Sequence, residues 1–405
     1  MELNELKDKK ILILGFGREG KDTLFFLKKL FPRKKIDVAD QKFDKNYLKK
    51  LKGYDLIIKS PGIPFKILPK HSLKKISTQT EIFFENCPGK IVGITGTKGK
   101  STTSSMIYKI LREGGVKAHL VGNIGKPVLS SLLKARREDV FVYELSSHQL
   151  YNLKKSPHIA VLLNIYPEHL DYYRSFTEYA KTKANITLHQ AKEDFFVFNS
   201  KDKLIRQFAK KTKAKKIPIE GKYYSLNKAA AKAVGKIFKI PDKIISKVLK
   251  DFKYLVHRLE PVGTFGGITF YNDALATIPE ATLAAIEALG RRVETIMLGG
   301  FERNITFRNL AEKVLKSKIK TVILFPTTGE KIWREILRQA HGKKLPKHFF
   351  TNNMREAVAL AYQHTNKGKI CLLSTASSSF SIFKDYKEKG NLFKKYVKRL
   401  GQQEK

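Results

Sequence analysis

Short apolar runs recur along the chain, each closed by a glycine-containing or polar turn and followed by a stretch with helical spacing. The first, KILIL at 10–14, runs into Gly15-Phe16-Gly17-Arg18-Glu19-Gly20, and 23–30 then carries helical periodicity. Strands are predicted at 36–39, with Asp40 at its end, and at 55–58 before the turn Ser60-Pro61-Gly62. Pro88-Gly89 interrupts this series, and a strand at 90–95 opens a second one, continued at 117–121, 140–145, 159–164 and 195–199. Lysine-rich helices fill 227–252. A third series follows at 268–271, 295–298, 321–325 and 370–373, with a helix at 279–289. Strand and helix in alternation predict parallel sheets flanked by helices. The chain is therefore expected to be α/β and to form three domains: a Rossmann-like N-terminal domain over 1–88, a central parallel-sheet domain over 89–254, and a C-terminal Rossmann-like α/β domain over 255–405.

Composition narrows the setting. The 405 residues are 42% hydrophobic, and no apolar run is long enough to span a bilayer, so a soluble protein without a membrane partner is expected. The charged opening MELNELKDKK lacks the apolar stretch and small-residue cleavage site of a secretory signal, which points to the cytoplasm. Only Cys87 and Cys371 are present, too few and too far apart for a disulfide framework or a cysteine metal site, and both are expected to be packing residues. Lysine and arginine number 79 against 37 acidic residues, a net charge of +42. The lysines are spread over helix-like segments (Lys28, Lys29, Lys49, Lys50, Lys210, Lys211) and are not interleaved with aromatics in one arm. Such a charge favours any polyanion without identifying one; a solvated basic surface that also helps small anionic substrates is expected, with no specific nucleic-acid partner. A monomer is expected.

Two glycine segments carry candidate chemistry. Gly15, Gly17 and Gly20 follow a strand and open a helix, the context in which glycines let a pyrophosphate approach a helix N-terminus, and Asp40 occupies the place of a ribose-binding acid. A tight turn with no ligand would read the same way. The segment Gly93-Ile94-Thr95-Gly96-Thr97-Lys98-Gly99-Lys100-Ser101 is more specific, although Ile94 stands where the general phosphate loop has its first glycine. Backbone N–H groups there would cradle phosphates, Lys100 would reach the terminal phosphates and Ser101 would hold magnesium. The central domain is accordingly expected to be P-loop ATPase-like. Asn123, Glu144 and His169 fall at strand ends, where open parallel sheets place their ligands, and an acid such as Glu144 suits magnesium. A lone histidine such as His169 is more often a cap or a satisfied core residue, and only its location favours a functional role.

Taken together these segments resemble the Mur ligase family, and within it the branch that adds D-glutamate. GTKGKS at 96–101 has the family's Gly-Thr-x-Gly-Lys-Ser/Thr form. GNIGKP (122–127), ELSSHQL (144–150), NIYPEHLDYY (164–173), HRLE (257–260), Asn272-Asp273, LGGFERN (298–304) and LLSTASSSFSIFKDYKEKG (372–390) follow in order, so the likeness spans nearly the whole chain.

The resemblance implies that ATP activates a carboxylate of UDP-N-acetylmuramoyl-L-alanine, which the amine of D-glutamate then attacks. It implies a phosphate site from Gly96, Thr97, Gly99, Lys100, Ser101 and Thr102, with Asn227, Arg258 and Asp273 contacting ATP. Two magnesium ions would be held by Ser101, Glu144, His169 and Lys183, the last as a carbamate, and Lys100, His169 and Lys183 would serve catalysis. The uridine nucleotide would meet Gly15, Gly17, Arg18, Glu19, Asp40, Asn123 and Ser146. D-glutamate would meet Thr277, Arg303, Ser379, Phe380 and Tyr386. Four positions depart from the family pattern: Ala274-Leu275 replaces Ser-Lys, Arg303 stands where lysine is common, and Ser381 replaces an acid. On residue type alone, Lys183 would be one more exposed lysine on a helix spanning 178–190. Two alternatives stay open, a sister ligase of different amino-acid specificity and a basic nucleotide-binding protein without ligase activity.

Overall fold

The computed structural model describes residues 1–169, 172–221, 224–252, 255–303, 305–342 and 344–403. Leu170, Asp171 and Asn304, which belong to two of the motifs above, lie outside the described residues. The chain divides into two compact units, Met1–Phe252 and Lys253–Lys405. Both are α/β, and each is described by itself.

The first unit holds two parallel sheets. In the first sheet, β1 (Ile11–Leu14), β2 (Ile36–Ala39), β3 (Leu56–Lys59) and β4 (Ile76–Thr78) are ordered β2-β1-β3-β4. The central strands β1 and β3 are buried throughout, because α1 (Arg18–Leu30) and neighbouring segments cover both faces. Such two-sided burial explains their uninterrupted Ile and Leu. Gly15 has φ +93° and Gly20 packs so closely that a Cβ there would lie 2.1 Å from the Gly15 carbonyl oxygen. These glycines therefore set the turn that starts α1. Thr78 caps α2 (Gln79–Asn86) by accepting from the Glu81 N–H at 3.1 Å.

The second sheet comprises β5 (Lys90–Thr95), β6 (Ala118–Gly122), β7 (Val140–Glu144), β8 (Ile159–Leu162), β9 (Phe195–Asn199) and β10 (Lys215–Ile219), in the order β10-β9-β8-β5-β7-β6. Strand order reverses at β5, so the turn after Thr95 opens at the point where doubly wound sheets bind ligands. That turn feeds α3 (Lys100–Glu113). The remaining helices of this unit are α4 (Ser147–Leu150), α5 (Phe176–Leu188), α6 (Lys203–Ala209), α7 (Tyr224–Ile237) and α8 (Asp242–Asp251).

In the second unit, β11 (Glu260–Phe265), β12 (Ile268–Asn272), β13 (Val293–Gly299), β14 (Thr321–Phe325), β15 (Lys347–Phe350) and β16 (Ile370–Leu373) are ordered β11-β12-β16-β13-β14-β15, with only the β11–β12 pair antiparallel. Its helices are α9 (Pro279–Leu289), α10 (Arg308–Lys316), α11 (Thr328–Ala340), α12 (Met354–His364) and α13 (Tyr386–Gln403). One apolar cluster covers each face of this sheet. Cys371 is buried in one of them and Cys87 is half-buried. Among the described residues no helix is long and apolar enough to cross a membrane.

Candidate active site

The turn between β5 and α3 leads directly into a helix N-terminus. Gly99 sits at φ +90°, and α3 starts without a side-chain cap, in contrast to α2, α4 and α5. The positive end of the helix dipole favours an anion there. A Cβ on Gly99 would approach the Asn227 amide oxygen to 2.4 Å, so α7 delivers Asn227 directly against the loop. The Lys98 N–H donates to Asn164 Oδ1 at 2.8 Å and Asn164 Nδ2 donates back to the Lys98 carbonyl at 3.0 Å. Asn164 thus clamps the loop. Sequence reasoning had used it only as a landmark, although an asparagine closing a buried strand is itself a signal. The hydroxyls of Thr97 and Tyr179 share a hydrogen bond at 3.0 Å, tying the loop to α5.

Two lysine side chains meet at the Gly96 carbonyl. Lys100 Nζ donates to the carbonyls of Gly96 and Thr97, both at 2.9 Å. Lys183 Nζ donates to the same Gly96 carbonyl at 3.1 Å and lies 4.9 Å from the Tyr179 ring centroid. Lys183 is only 1% exposed, which contradicts the expectation of an exposed lysine that residue type alone gave: its place on α5 turns it into the sheet. Burial, followed by the nearby Lys100 ammonium, pushes the Lys183 pKa well below the usual lysine value. Glu168 pairs with Lys98 at 2.9 Å and lies 3.9 Å from His169 Nε2. Burial lowers the His169 pKa; Glu168 opposes this and Lys183 and Lys100 reinforce it. Ser101 and Thr102 are buried in the first turn of α3.

Glu144, at the end of β7, is 4% exposed, and its Oε2 has no hydrogen-bond partner. A buried carboxylate oxygen left without a partner is costly. It suits an incoming hard cation, and magnesium needs few protein ligands because it keeps waters and phosphate oxygens. Among the described residues no group of three His, Cys, Asp or Glu side chains forms a self-sufficient metal site.

Gly15, Gly17, Arg18, Glu19, Asp40 and Asn123 all line one cavity of about 510 Å³ in the first unit. Its other wall is the Ser60–Pro64 turn. Asp40 accepts from the Phe16 N–H at 2.6 Å and the Lys42 N–H at 2.9 Å, which hold its carboxyl below the usual range. Arg18 donates to the carbonyls of Gly122 and Gly125 and so links the two sheets. Burial raises the Glu19 pKa to about 7, opposed by the Gln149 amide, which donates to it at 2.7 Å. Ser146 does not line the cavity: its hydroxyl caps α4 within a capping box, and the Gln149 of that box is the residue that reaches Glu19.

In the second unit, turns after β12, β13 and β16 meet. The Phe301 N–H donates to the Ser378 carbonyl at 2.8 Å and Thr375 Oγ1 to the Ala276 carbonyl at 3.4 Å. Thr277, Arg303, Ser379 and Phe380 therefore come from adjoining turns. Arg303 and Phe380 are exposed, Phe380 by 58%, while Ser379 is buried with no partner for its hydroxyl. Tyr386 opens α13 with its ring edge-on to His257 at 5.8 Å. Asp273 accepts from the Leu259 N–H at 3.1 Å and the Ser374 hydroxyl at 2.8 Å, yet burial still raises its pKa to about 6. Arg258 contributes a neighbouring charge to it. Lys389, absent from the sequence expectations, is 1% exposed and donates to Thr375 Oγ1 at 2.6 Å. Burial lowers its pKa to about 7, with Asp273 acting against the shift.

Comparison with known proteins identifies the family. Residues 94–265 fit the family pattern of the Mur ligase middle domain and 257–377 that of the Mur ligase glutamate ligase domain. A UDP-N-acetylmuramoylalanine–D-glutamate ligase of Acetivibrio thermocellus is 32% identical, with 98% of this chain and 97% of that protein aligned. The chain belongs to the Mur ligase family. Proteins of the same description from Clostridium acetobutylicum and Ligilactobacillus salivarius are 32% and 31% identical, each over 98% of this chain and over 97% and 98% of their own length. Among solved structures, the MurF ligase of Thermotoga maritima in complex with ADP superposes with a TM-score of 0.63 at 17% identity, covering 98% of this chain and 97% of that one. The UDP-N-acetylmuramate-alanine ligase MurC of Thermotoga maritima gives 0.60 at 16% identity over 98% and 100%. At these identities both speak for the Mur ligase fold alone. As a Mur ligase, the chain is an ATP-dependent amide ligase of peptidoglycan precursor synthesis.

Proposed function

We propose that this Mur ligase joins D-glutamate to UDP-N-acetylmuramoyl-L-alanine in the cytoplasm, as a monomer and through an acyl phosphate. One observation carries the choice of substrates: relatives bearing that name align with 98% of this chain. The domains at 1–88, 89–254 and 255–405 would take the uridine nucleotide, ATP and D-glutamate respectively. In the cavity lined by Gly15, Gly17, Arg18, Glu19, Asp40 and Asn123, the uridine diphosphate would meet the N-terminus of α1. Ser146 would act there through Gln149 and Glu19.

ATP would lie on the N-terminus of α3, with its phosphates against Gly96, Thr97, Gly99, Ser101 and Thr102. Lys100 would exchange its loop carbonyls for the transferring phosphoryl group, and Asn227, Arg258 and Asp273 would contact the remainder of the nucleotide. Two magnesium ions, with Ser101, Glu144, His169 and a carbamylated Lys183 as ligands, would neutralise phosphate charge. A carboxylate oxygen of the uridine substrate attacks the γ-phosphorus, ADP leaves, and the amine of D-glutamate displaces phosphate from the acyl carbon. Positioning and charge neutralisation suffice for such a transfer without a protein nucleophile. Arg303 and Ser379 would hold the carboxylates of D-glutamate, a guanidinium offering a two-pronged fit and the unpartnered hydroxyl adding direction. Thr277, Phe380 and Tyr386 would complete the pocket. The net charge of +42 favours anionic ligands in general and does not select among them.

Phosphate release with UDP-N-acetylmuramoyl-L-alanine, ATP and a panel of amino acids tests the assignment. D-glutamate is expected to support turnover, and L-glutamate, L-alanine and a diamino acid to leave only background. Efficient use of one of the others would assign the chain to a sister branch.

A further inference from the structure

The turn after β3 is a wall of the nucleotide cavity, and its carbonyls are held from two sides. Lys59 Nζ, beneath it, donates to the Ser60 carbonyl at 3.0 Å and the Ile63 carbonyl at 2.8 Å. Ser60 Oγ donates to the Gly15 carbonyl at 2.9 Å, so the turn also fixes the glycine bend that starts α1. From the side of the second sheet, the Tyr172 hydroxyl reaches the Pro61 carbonyl at 3.0 Å and the Ile63 carbonyl at 3.2 Å. One phenolic hydrogen is thus shared between two acceptors, 111 and 109 positions away in sequence. The same residue is joined to the candidate ATP site. Its N–H donates to the His169 carbonyl at 3.0 Å. Its ring meets His148 edge-on at 4.1 Å, and His148 meets His169 edge-on at 4.8 Å. An unbroken line of contacts therefore runs from Gly15 through Ser60, the turn, Tyr172 and His148 to His169.

We infer that Tyr172 is a positioning residue that couples occupancy of the nucleotide cavity to the placement of His169 beside the ATP loop. The inference rests on the assignment of the cavity to the uridine nucleotide. A nucleotide that presses on the turn moves the Pro61 and Ile63 carbonyls, the phenol follows its acceptors, and the ring carries His148 with it. Close packing transmits such a shift instead of absorbing it. Binding linkage is reciprocal: whatever factor the uridine substrate lends to ATP, ATP must lend to the uridine substrate.

The test uses the full chain as wild type, Tyr172→Phe and Tyr172→Leu. Affinities are measured for UDP-N-acetylmuramoyl-L-alanine and for magnesium with a non-hydrolysable ATP analogue, each alone and in the presence of the other. In the wild type each is expected to tighten the other by about fivefold, the scale of one net hydrogen bond. Tyr172→Phe keeps the ring against His148 and loses only the phenolic bond. Each ligand alone should then bind within about threefold of wild type while the mutual tightening disappears. Tyr172→Leu, which also removes the ring, should lose the tightening and lower kcat. A purely structural Tyr172 would instead give a lower Tm and weaker binding of both ligands with the tightening intact, and that result overturns the inference. So does a wild type in which the two ligands bind independently while D-glutamate still drives phosphate release. Failure of D-glutamate to drive phosphate release in the wild type would strike the proposed function itself and is read separately.

Discussion

Lys100→Ala is expected to abolish ATP-dependent amide formation, lowering turnover by about a thousandfold or more, the scale on which removal of a group that meets transition-state charge is felt. Lys100 leaves the β5–α3 turn at the start of the helix, and its ammonium is held by two carbonyls of its own loop at 2.9 Å. Those contacts keep it poised where a γ-phosphoryl group would arrive. Because α3 starts without a side-chain cap and Lys100 is only half-buried, the loss should leave the helix folded. Binding of UDP-N-acetylmuramoyl-L-alanine, followed by calorimetry, should stay within about twofold of wild type, since the cavity near Gly15 does not involve Lys100. A Lys100→Ala enzyme that forms amide at near-normal rates would remove the phosphate-loop assignment.

The second large effect is expected at Lys183, where alanine should cost about two to three orders of magnitude in kcat, with partial restoration by formate or acetate. Two lysine nitrogens, from Lys100 and Lys183, converge on the single Gly96 carbonyl. Burial of Lys183, and after it repulsion from the Lys100 ammonium, pushes its pKa well below the usual lysine value and so favours the neutral amine. A neutral amine in a site that wants oxygen ligands is the form that combines with carbon dioxide. The resulting carbamate is an anion that relieves the repulsion and offers oxygens to magnesium. The sign of the pH effect follows from the depressed amine pKa. A lowered pKa enlarges the neutral-amine fraction from which the proposed carbamate would form, with loss of a proton to solvent. On acidification the amine is reprotonated and the carbamate decomposes, so activity should fall as pH is lowered and recover with added bicarbonate. Labelling with 13C-bicarbonate should give a carbamate carbon resonance in wild type and none in Lys183→Ala. Full activity of Lys183→Ala, or a wild type without the resonance, would contradict the assignment.

Much of this was legible in the sequence because buried parallel strands are continuous apolar runs. Strands β1, β2, β5, β9, β14 and β16 lie at or within a residue of where their runs predicted. The four strands that gave no such signal, β4, β10, β11 and β15, all lie at sheet edges. An edge strand has one open side and tolerates what a central strand cannot. Thus β10 carries Lys215, Lys216 and Pro218, and β11 carries Pro261 and Gly263 with a register shift between them. Site residues divide in the same way. Lys100 and Glu144 are announced by local context, a glycine turn and a strand end. The burial of Lys183 is not, because α5 faces the sheet through tertiary packing that a helical pattern rich in threonine and lysine does not predict. Asn164, Gln149 and Lys389 lie inside the quoted motifs, but the contacts through which they act are made to residues elsewhere in the chain, so the motifs alone do not give their roles.

The most direct test of the central claim follows the oxygen atoms. UDP-N-acetylmuramoyl-L-alanine labelled with 18O at both carboxylate oxygens is incubated with ATP, magnesium, D-glutamate and the enzyme, and the released phosphate is analysed by mass. Attack of the carboxylate on the γ-phosphorus, followed by cleavage of the acyl carbon–oxygen bond by the amine, places one labelled oxygen in phosphate and leaves the other in the amide. The account predicts singly labelled phosphate in equal amount to the amide, formed with D-glutamate and not with L-glutamate. Unlabelled phosphate, or labelled phosphate formed equally well with L-glutamate, would contradict it.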